Sequence, residues 1–346
     1  MRLLLYEWCC SGGLRGPDAT AVLGTASPAG LAAEGRLMLE ALAADAVKLS
    51  GCEVTLLVDS LLHEEQRPRP PVAAVTREVE PGDELAVLAA AAGATDAVML
   101  VAPETGGVLT DRLKMLERAG FGNRVIGGPE RFAAAATDKQ ITCELLAAAG
   151  LPVPAGRSLR PGETLPSGFR LPAVVKARGS AGGDGLRQLA TPVDYSPPTG
   201  PVRIESLAVG TPASVSCLCG PHRCLPLLPV EQRFSDGRSP SFRGIRPLAT
   251  PLRPRASALA VRAIGAVARA TSSIPRGWVG VDMILGGRPD GRDDRVLEVN
   301  PRLTTSFVGL SRSLPGGLIG PLLALADGNA ATLGPWNEPA CELTLP

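Results

Sequence analysis

Near the carboxy-terminal end, the stretch VLEVNPR places Glu298, Asn300 and Arg302 at every second position, alternating with Leu297, Val299 and Pro301. A β-strand sends alternate side chains to opposite faces. An anion, an amide oxygen and a cation are therefore predicted to share one face, with the apolar residues on the other. Upstream, GWVGVDMIL is a second strand-like run, joined to the first by the polar turn GGRPDGRDD. With Leu285 paired to Arg295 across that turn, antiparallel geometry sets Asp282 opposite Glu298. Two facing carboxylates repel unless a cation lies between them. Asp282, Glu298 and Asn300 form an oxygen-only set of the kind Mg²⁺ prefers; a solvated strand face is the competing reading.

Only Lys48, Lys114, Lys139 and Lys176 among the 35 Lys and Arg are lysines. A lysine is a compact point charge that fits between phosphate oxygens, whereas Arg is a planar fork. Lys176 ends the apolar run PAVVK and precedes a loop with Gly179, Gly182, Gly183 and Gly185. Glycines let backbone N–H groups cradle phosphate, with the lysine as counter-charge. The lysine comes before the glycines, so this is neither a Walker A loop nor a dinucleotide GxGxxG; a plain surface turn is the alternative. Lys139 falls in the first turn of the predicted helix TDKQITCELLAAAG, capped by Thr137 or Asp138. A cation there opposes the helix dipole, a conflict that an anionic ligand resolves; otherwise it is an exposed lysine.

The elements that position these residues change character along the chain. Strand-like runs at Arg2–Trp8, 53–59, 72–79, 96–103 and 124–128 alternate with helical stretches at about 29–50, 83–93 and 107–119. That alternation predicts a doubly wound parallel α/β sheet over 1–127. A second region of α+β character is expected over 128–320, divided into 128–203 and 204–320. Its features are the helices after Gly128, the glycine loop, β-rich sequence, a helix at about 255–272 and the hairpin. The tail 321–346 reads as a short helix followed by irregular chain.

The chain has 346 residues, 45% hydrophobic and 20% charged, with a net charge of +1. Such a balance gives no electrostatic reason to expect nucleic acid or an anionic membrane. Two histidines, His63 and His222, leave little room for histidine catalysis or a multi-His metal site. No stretch approaches the ~20 apolar residues of a membrane span. Eight cysteines without a recognisable signal peptide fit reduced thiols and a cytoplasmic location. CLCGPHRC is spaced unlike a tetrahedral zinc site and reads as buried cysteines on a hairpin that sets Cys219 against Cys224. Cys9, Cys10 and Ser11 read as a turn lining a substrate pocket. The arginines Arg233, Arg238, Arg243 and Arg246 are either a carboxylate clamp or exposed loop charges.

Taken in order, Lys139, Lys176 before its glycine loop, RIESLAVG, Asp282 and LEVNPR resemble the ATP-grasp superfamily of carboxylate–amine ligases. The likeness covers about 120–312, and the preceding α/β region resembles that superfamily's amino-terminal (pre-ATP-grasp) domain. Within it, YEWCCSGG, GTPASVSCLCG and VLEVNPRLTTSFVGL look most like the tyramine–glutamate ligases of methanofuran biosynthesis. The resemblance implies ATP held by Lys139, Lys176 and the loop with Gly179, Gly182 and Gly183. It also implies Glu205 at the adenine amino group and Leu207 offering backbone bonds. Asp282, Glu298 and Asn300 would hold one or two Mg²⁺, with Mn²⁺ as a substitute, and Arg302 would steady the γ-phosphate or acyl phosphate. Gly210-Thr211-Pro212-Ala213 lacks the ribose-binding acid that many relatives carry after the hinge glycine. The implied partners are a small carboxylate and an amine, not nucleic acid or membrane, with homodimer formation open. Three activities remain distinct at this point: an amide-forming ligase, an ATP-binding module without catalysis, and a nicotinamide oxidoreductase. Lack of GxGxxG after the first strand speaks against the last.

Overall fold

The computed structural model describes residues 1–23, 28–180, 185–237 and 239–345. Five of the six residues of β1 (Arg2–Glu7) are buried, as suits a strand covered on both faces. It lies at the centre of a parallel sheet of order β3-β2-β1-β4, with β2 (Glu53–Asp59), β3 (Val75–Val79) and β4 (Ala97–Val101). After the short α1 (Ala19–Leu23), α2 (Pro28–Ala46) packs on the Leu3 and Leu5 face. The Leu4 and Tyr6 face is covered by α3 (Glu84–Ala94) and α4 (Val108–Arg118). Under α3 and α4 lies a buried polar network: Arg112 forks onto Glu84 at 2.8–3.1 Å, and the Tyr6 hydroxyl donates to the same carboxylate. The strand expected at 124–128 is reduced to two isolated bridges, Val125 with Val98 and Gly127 with Arg276. Gly128 and Pro129 follow at once; glycine weakens a ladder and proline cannot donate to it.

Two helices, α5 (Glu130–Thr137) and α6 (Lys139–Ala148), lead into an antiparallel sheet of order β5-β8-β6-β7. Its strands are β5 (Gly156–Leu159), β6 (Ala173–Ala177), β7 (Arg187–Leu189) and β8 (Val202–Ser206). They close around a small core of Leu159, Ala173, Val175, Leu189 and Ile204. Because β8 pairs with both β5 and β6, this sheet runs through Ser206, past the expected division at 203.

The largest sheet has the order β14-β13-β9-β11-β12-β15, with β10 (Cys224–Pro226) added on β9. Its other strands are β9 (Thr211–Cys219), β11 (Val230–Phe234), β12 (Phe242–Pro247), β13 (Gly277–Leu285), β14 (Arg295–Asn300) and β15 (Leu343–Thr344). The long helix α7 (Arg253–Thr271) buries Ala256, Leu259, Ala260, Ala263, Ile264 and Val267, the spacing of one helix face. That face packs on Val279, Val281 and Met283. On the opposite side, Leu218 and Trp278 join α8 (Ser306–Ser313) and α9 (Ile319–Ala326) in a core that also takes in Leu3, Leu5 and α2. The tail is therefore more ordered than expected. Asp45 of α2 accepts the Leu318 and Ile319 amides at 2.6 and 2.9 Å, capping α9, and β15 closes the edge of β12. At Gly244 (φ +136°) a Cβ would lie 1.9 Å from the Leu343 carbonyl, so only glycine admits that strand.

All eight cysteines are free thiols, and Cys219 does face Cys224, with sulfurs 3.5 Å apart. Among the described residues no helix is long and apolar enough to cross a membrane.

Candidate functional site

Asp282 stands opposite Glu298, as the sequence predicts, but by a different route. Ile284, not Leu285, pairs with Arg295, and the register shifts between Asp282 and Met283 because Leu297 is an extra residue. A β-bulge of this kind puts two residues of one strand against one of its partner and re-aims side chains. Val296 and Val299 are buried, whereas Leu297, Glu298 and Asn300 all line one cleft with Asp282 and Arg302. Leu297 thus departs from the apolar face expected for it, and its carbonyl faces Lys176 Nζ at 3.5 Å. The carboxylate of Asp282 accepts from Asn300 Nδ2 at 3.1 Å and from Gln232 Nε2 at 3.2 Å. Burial, and then the charge of Glu298, push the Asp282 carboxyl up to about 7. Burial acts on Glu298 in the same sense, but Lys139 and Lys176 outweigh it and hold that carboxyl below its ordinary range.

Both singled-out lysines are buried at this pair, each 5% exposed. Lys139 opens α6, whose first amides at Gln140 and Ile141 are capped by Asp138 at 2.9 and 3.1 Å. Its Nζ sits 3.1 Å from Glu298 and also donates to the Ser180 carbonyl. Lys176, at the end of β6, lies 2.7 Å from Glu205, which is held on its other oxygen by Arg203 at 2.8 Å. Burial alone would favour a neutral Lys176 amine, yet Glu205 and Glu298 raise its pKa instead. Lys48 and Lys114, by contrast, are about half exposed, at 45–46%, and pair with carboxylates outside this cleft.

Other walls of the cleft were invisible in the local sequence. Arg302 is paired at 2.8 Å with Glu104, from the loop after β4 in the amino-terminal domain. Buried Arg302 Nε and Glu104 Oε1 have no hydrogen-bond partner, an imbalance that a further polar group would correct. Glu34, from α2, accepts from the Thr305 hydroxyl and also lines the cleft. Ser180, Ser214, Phe234, Phe242, Ile245, Thr304 and Ser306 complete much of the rest.

The remaining expectations fare unevenly. Gly179 lies beside the Glu104 carbonyl, 4.0 Å from where its Cβ would stand, while Gly182 and Gly183 fall outside the described residues. The Leu207 N–H is already donated to the Pro172 carbonyl at 3.0 Å, so only its carbonyl remains to offer. Arg233 and Arg246 make surface pairs with Glu342 and Glu231, and Arg238 falls outside the described residues. Cys9, Cys10 and Ser11 are buried rather than lining this cleft; the Cys10 amide is bound by Glu7 at 2.9 Å. Among the described residues no cluster of three His, Cys, Asp or Glu side chains could hold a metal, so any cation here relies on two carboxylates and the Asn300 amide. Those donors do fit a hard divalent ion: all are oxygens, and the Asp282–Glu298 repulsion is what such a charge relieves.

Comparison with known proteins agrees with this layout. Residues 136–306 match the ATP-grasp domain family, and residues 52–130 match the pre ATP-grasp 3 domain. No curated protein matches the sequence. In fold, the chain is similar to an ATP-grasp superfamily protein from Archaeoglobus fulgidus, at 24% identity and a TM-score of 0.64 over 94% of this chain and 88% of that one. It is also similar to the N5-carboxyaminoimidazole ribonucleotide synthetase of Thermotoga maritima, at 16% identity and 0.61 over 96% and 77%. A third likeness is to the L-amino acid ligase of Bacillus licheniformis, at 16% identity and 0.60 over 90% and 70%. At these identities the likeness is one of fold.

Proposed function

Because the chain belongs to the ATP-grasp superfamily, we propose that it is a Mg-ATP-dependent ligase joining a carboxylate to an amine through an acyl phosphate, releasing ADP and phosphate. One observation carries the reading. Two buried lysines, from α6 and from β6, line one cleft with Glu298 and Asp282, which face each other, and Lys139 pairs directly with Glu298 at 3.1 Å. Buried cations and carboxylates at such density are costly unless a ligand uses them.

In this reading Lys139, Lys176 and the loop of Gly179, Gly182 and Gly183 hold the phosphates, and Glu205 and Leu207 border the adenine. Asp282, Glu298 and Asn300 hold Mg²⁺, which when bound neutralises phosphate charge and polarises the transferred group. The chain's own groups do the remaining work. Lys139 and Lys176 place fixed positive charge where two anions, carboxylate and γ-phosphate, must approach. Arg302, with its unpartnered Nε, is oriented by Glu104 to take an oxygen of the acyl phosphate. Phe234, Phe242 and Ile245 give the cleft an apolar wall that limits water around a hydrolysable intermediate. The carboxylate oxygen attacks the γ-phosphorus and ADP leaves. The amine then attacks the acyl carbon, phosphate leaves with the C–O bonding pair, and the nitrogen loses a proton.

Glutamate, through its γ-carboxylate, and tyramine are the first substrates to try, supported by YEWCCSGG, GTPASVSCLCG and VLEVNPRLTTSFVGL. The test is hydroxylamine trapping. Enzyme, Mg-ATP and a panel of carboxylates headed by glutamate should yield hydroxamate and ADP in equal amounts. ATP binding with no ADP or hydroxamate from any acid would instead mark a binding module.

A further inference from the structure

We propose that Glu34 is the carboxylate that receives the ammonium group of the amine substrate and takes its proton. The proposal rests on the ligase reading above and assigns the second half-reaction to a residue of the amino-terminal domain. Three carboxylates line the cleft: Glu34, Asp282 and Glu298. Glu298 is paired with Lys139 and faces Asp282 in the metal set. Glu34 stands apart. Its partner is a neutral hydroxyl, that of Thr305 at the start of α8, and no lysine or arginine among the described residues forms an ion pair with it.

A lone carboxylate on a cleft wall repels an acid substrate and attracts an organic cation. Of the two groups that react, only the amine carries positive charge at neutral pH; the α-ammonium of glutamate lies at the far end of that molecule from its γ-carboxyl. Glu34 and Arg302 line the same cleft; burial lowers the Arg302 pKa, and Glu104 first and then Glu34 raise it above the ordinary value. The nucleophile would therefore wait beside the arginine assigned to the acyl phosphate. Phe234 and Phe242, edge to face with centroids 6.0 Å apart, line the same cleft. Ring faces accept both an apolar skeleton and a nearby cation.

The placement of Glu34 is fixed by the fold. The next residue is Gly35, where a Cβ would come within 2.5 Å of the Glu7 carboxylate, so α2 lies hard against the turn after β1. The Thr305 hydroxyl then aims the side chain. In the reaction the ammonium proton passes to a Glu34 oxygen and the freed lone pair attacks the acyl carbon. The C–N bond forms and the C–O bond to phosphate breaks. Phosphate departs with that electron pair, and Glu34 returns its proton to water when the amide leaves.

The experiment compares wild type, Glu34→Gln and Thr305→Ala with two nucleophiles. Hydroxylamine is uncharged at neutral pH and needs no carboxylate; tyramine and n-butylamine are cations. Glu34→Gln should form hydroxamate at the wild-type rate while kcat/KM for the cationic amines falls about 10- to 100-fold, the scale of a lost hydrogen bond to a charged group. Thr305→Ala should raise KM for those amines with a smaller change in kcat, and it carries the test if Glu34→Gln does not fold. Wild-type kcat/KM for the amines in both variants would overturn the assignment and leave the ligase intact. Equal loss of hydroxamate and amide by folded Glu34→Gln would also overturn it, since the residue would then serve the first half-reaction. No hydroxamate from wild type with any acid would remove the ligase reading itself.

Discussion

Asp282→Asn should make the metal-free protein more stable, not less, at pH 8. Burial and Glu298 raise the Asp282 carboxyl from 3.8 to about 7. Between those values the folded carboxyl keeps a proton that the unfolded one has lost, so stability falls as pH rises, and above pH 7 the whole cost is present. Three units at ~1.4 kcal/mol each give about 4 kcal/mol for a fully dry group. Asp282 is partly open to the cleft, and screening by cleft water brings this to about 2 kcal/mol. Asparagine has nearly the same shape and keeps an oxygen for Gln232 or Asn300, so the charge is removed with little else. The gain corresponds to a rise in Tm of about 4 °C for a chain this long. Chelator-treated wild type and variant should be melted from pH 5 to 8.5. Stability from Glu298, whose pKa is lowered, is already complete in that range and is lost only below it. The difference between wild type and variant should be roughly a third of its full size at pH 5, grow up to pH 7 and stay level above it. Mg²⁺ at 100 times its Kd should restore about 2.7 kcal/mol to wild type and far less to the variant, which should have lost ATP turnover by more than about 100-fold. If the variant is no more stable at pH 8, or Mg²⁺ stabilises both equally, the facing-carboxylate account fails.

Lys139→Ala and Lys176→Ala should each weaken nucleotide binding by at least about tenfold, whereas Lys48→Ala and Lys114→Ala should leave it unchanged; titration of all four variants checks this. Glu84→Ala leaves Arg112 buried with only Asp18 and should cost about 3–5 kcal/mol in urea unfolding. The same substitution should not change nucleotide affinity in whatever folded fraction remains. Gly244→Ala, with its Cβ driven into the Leu343 carbonyl, should lower stability by more than about 2 kcal/mol, read by thermal melting.

Local pattern carried some of these features and not others. The helix spacing of α7, the alternation before Gly127 and the opposition of Asp282 and Glu298 are properties of short segments, and they were legible. The bulge at Leu297 was not, because it exists only as a mismatch between two strands and leaves no local trace. Nor were Glu34 and Glu104, which meet Thr305 and Arg302 across 271 and 198 residues of sequence. The fifth strand failed for a related reason: Val125 bridges Val98, but by Gly127 the chain has changed partner to Arg276, 149 residues away in sequence, and Gly128 and Pro129 then end the pairing.

The separate five-residue core of the small sheet divides the molecule mechanically. The amino-terminal sheet, α8, α9 and β15 share one apolar mass, and α5–α7 share a second with the other face of the large sheet; together these make a frame. The β5–β8 sheet is a leaf on that frame. What fastens it across the gap is polar: the Lys139 amide to the Arg178 carbonyl at 2.9 Å, Arg178 to Asp138, and Arg203 to Gln140 at 2.6 Å. Water can replace each of these contacts, so a hinge motion of the leaf would expose little apolar surface. Lys176 and Glu205 both ride on the leaf, and Lys139 and Glu298 both stay on the frame. In such a motion each buried cation would keep its counter-ion, Lys176 with Glu205 and Lys139 with Glu298.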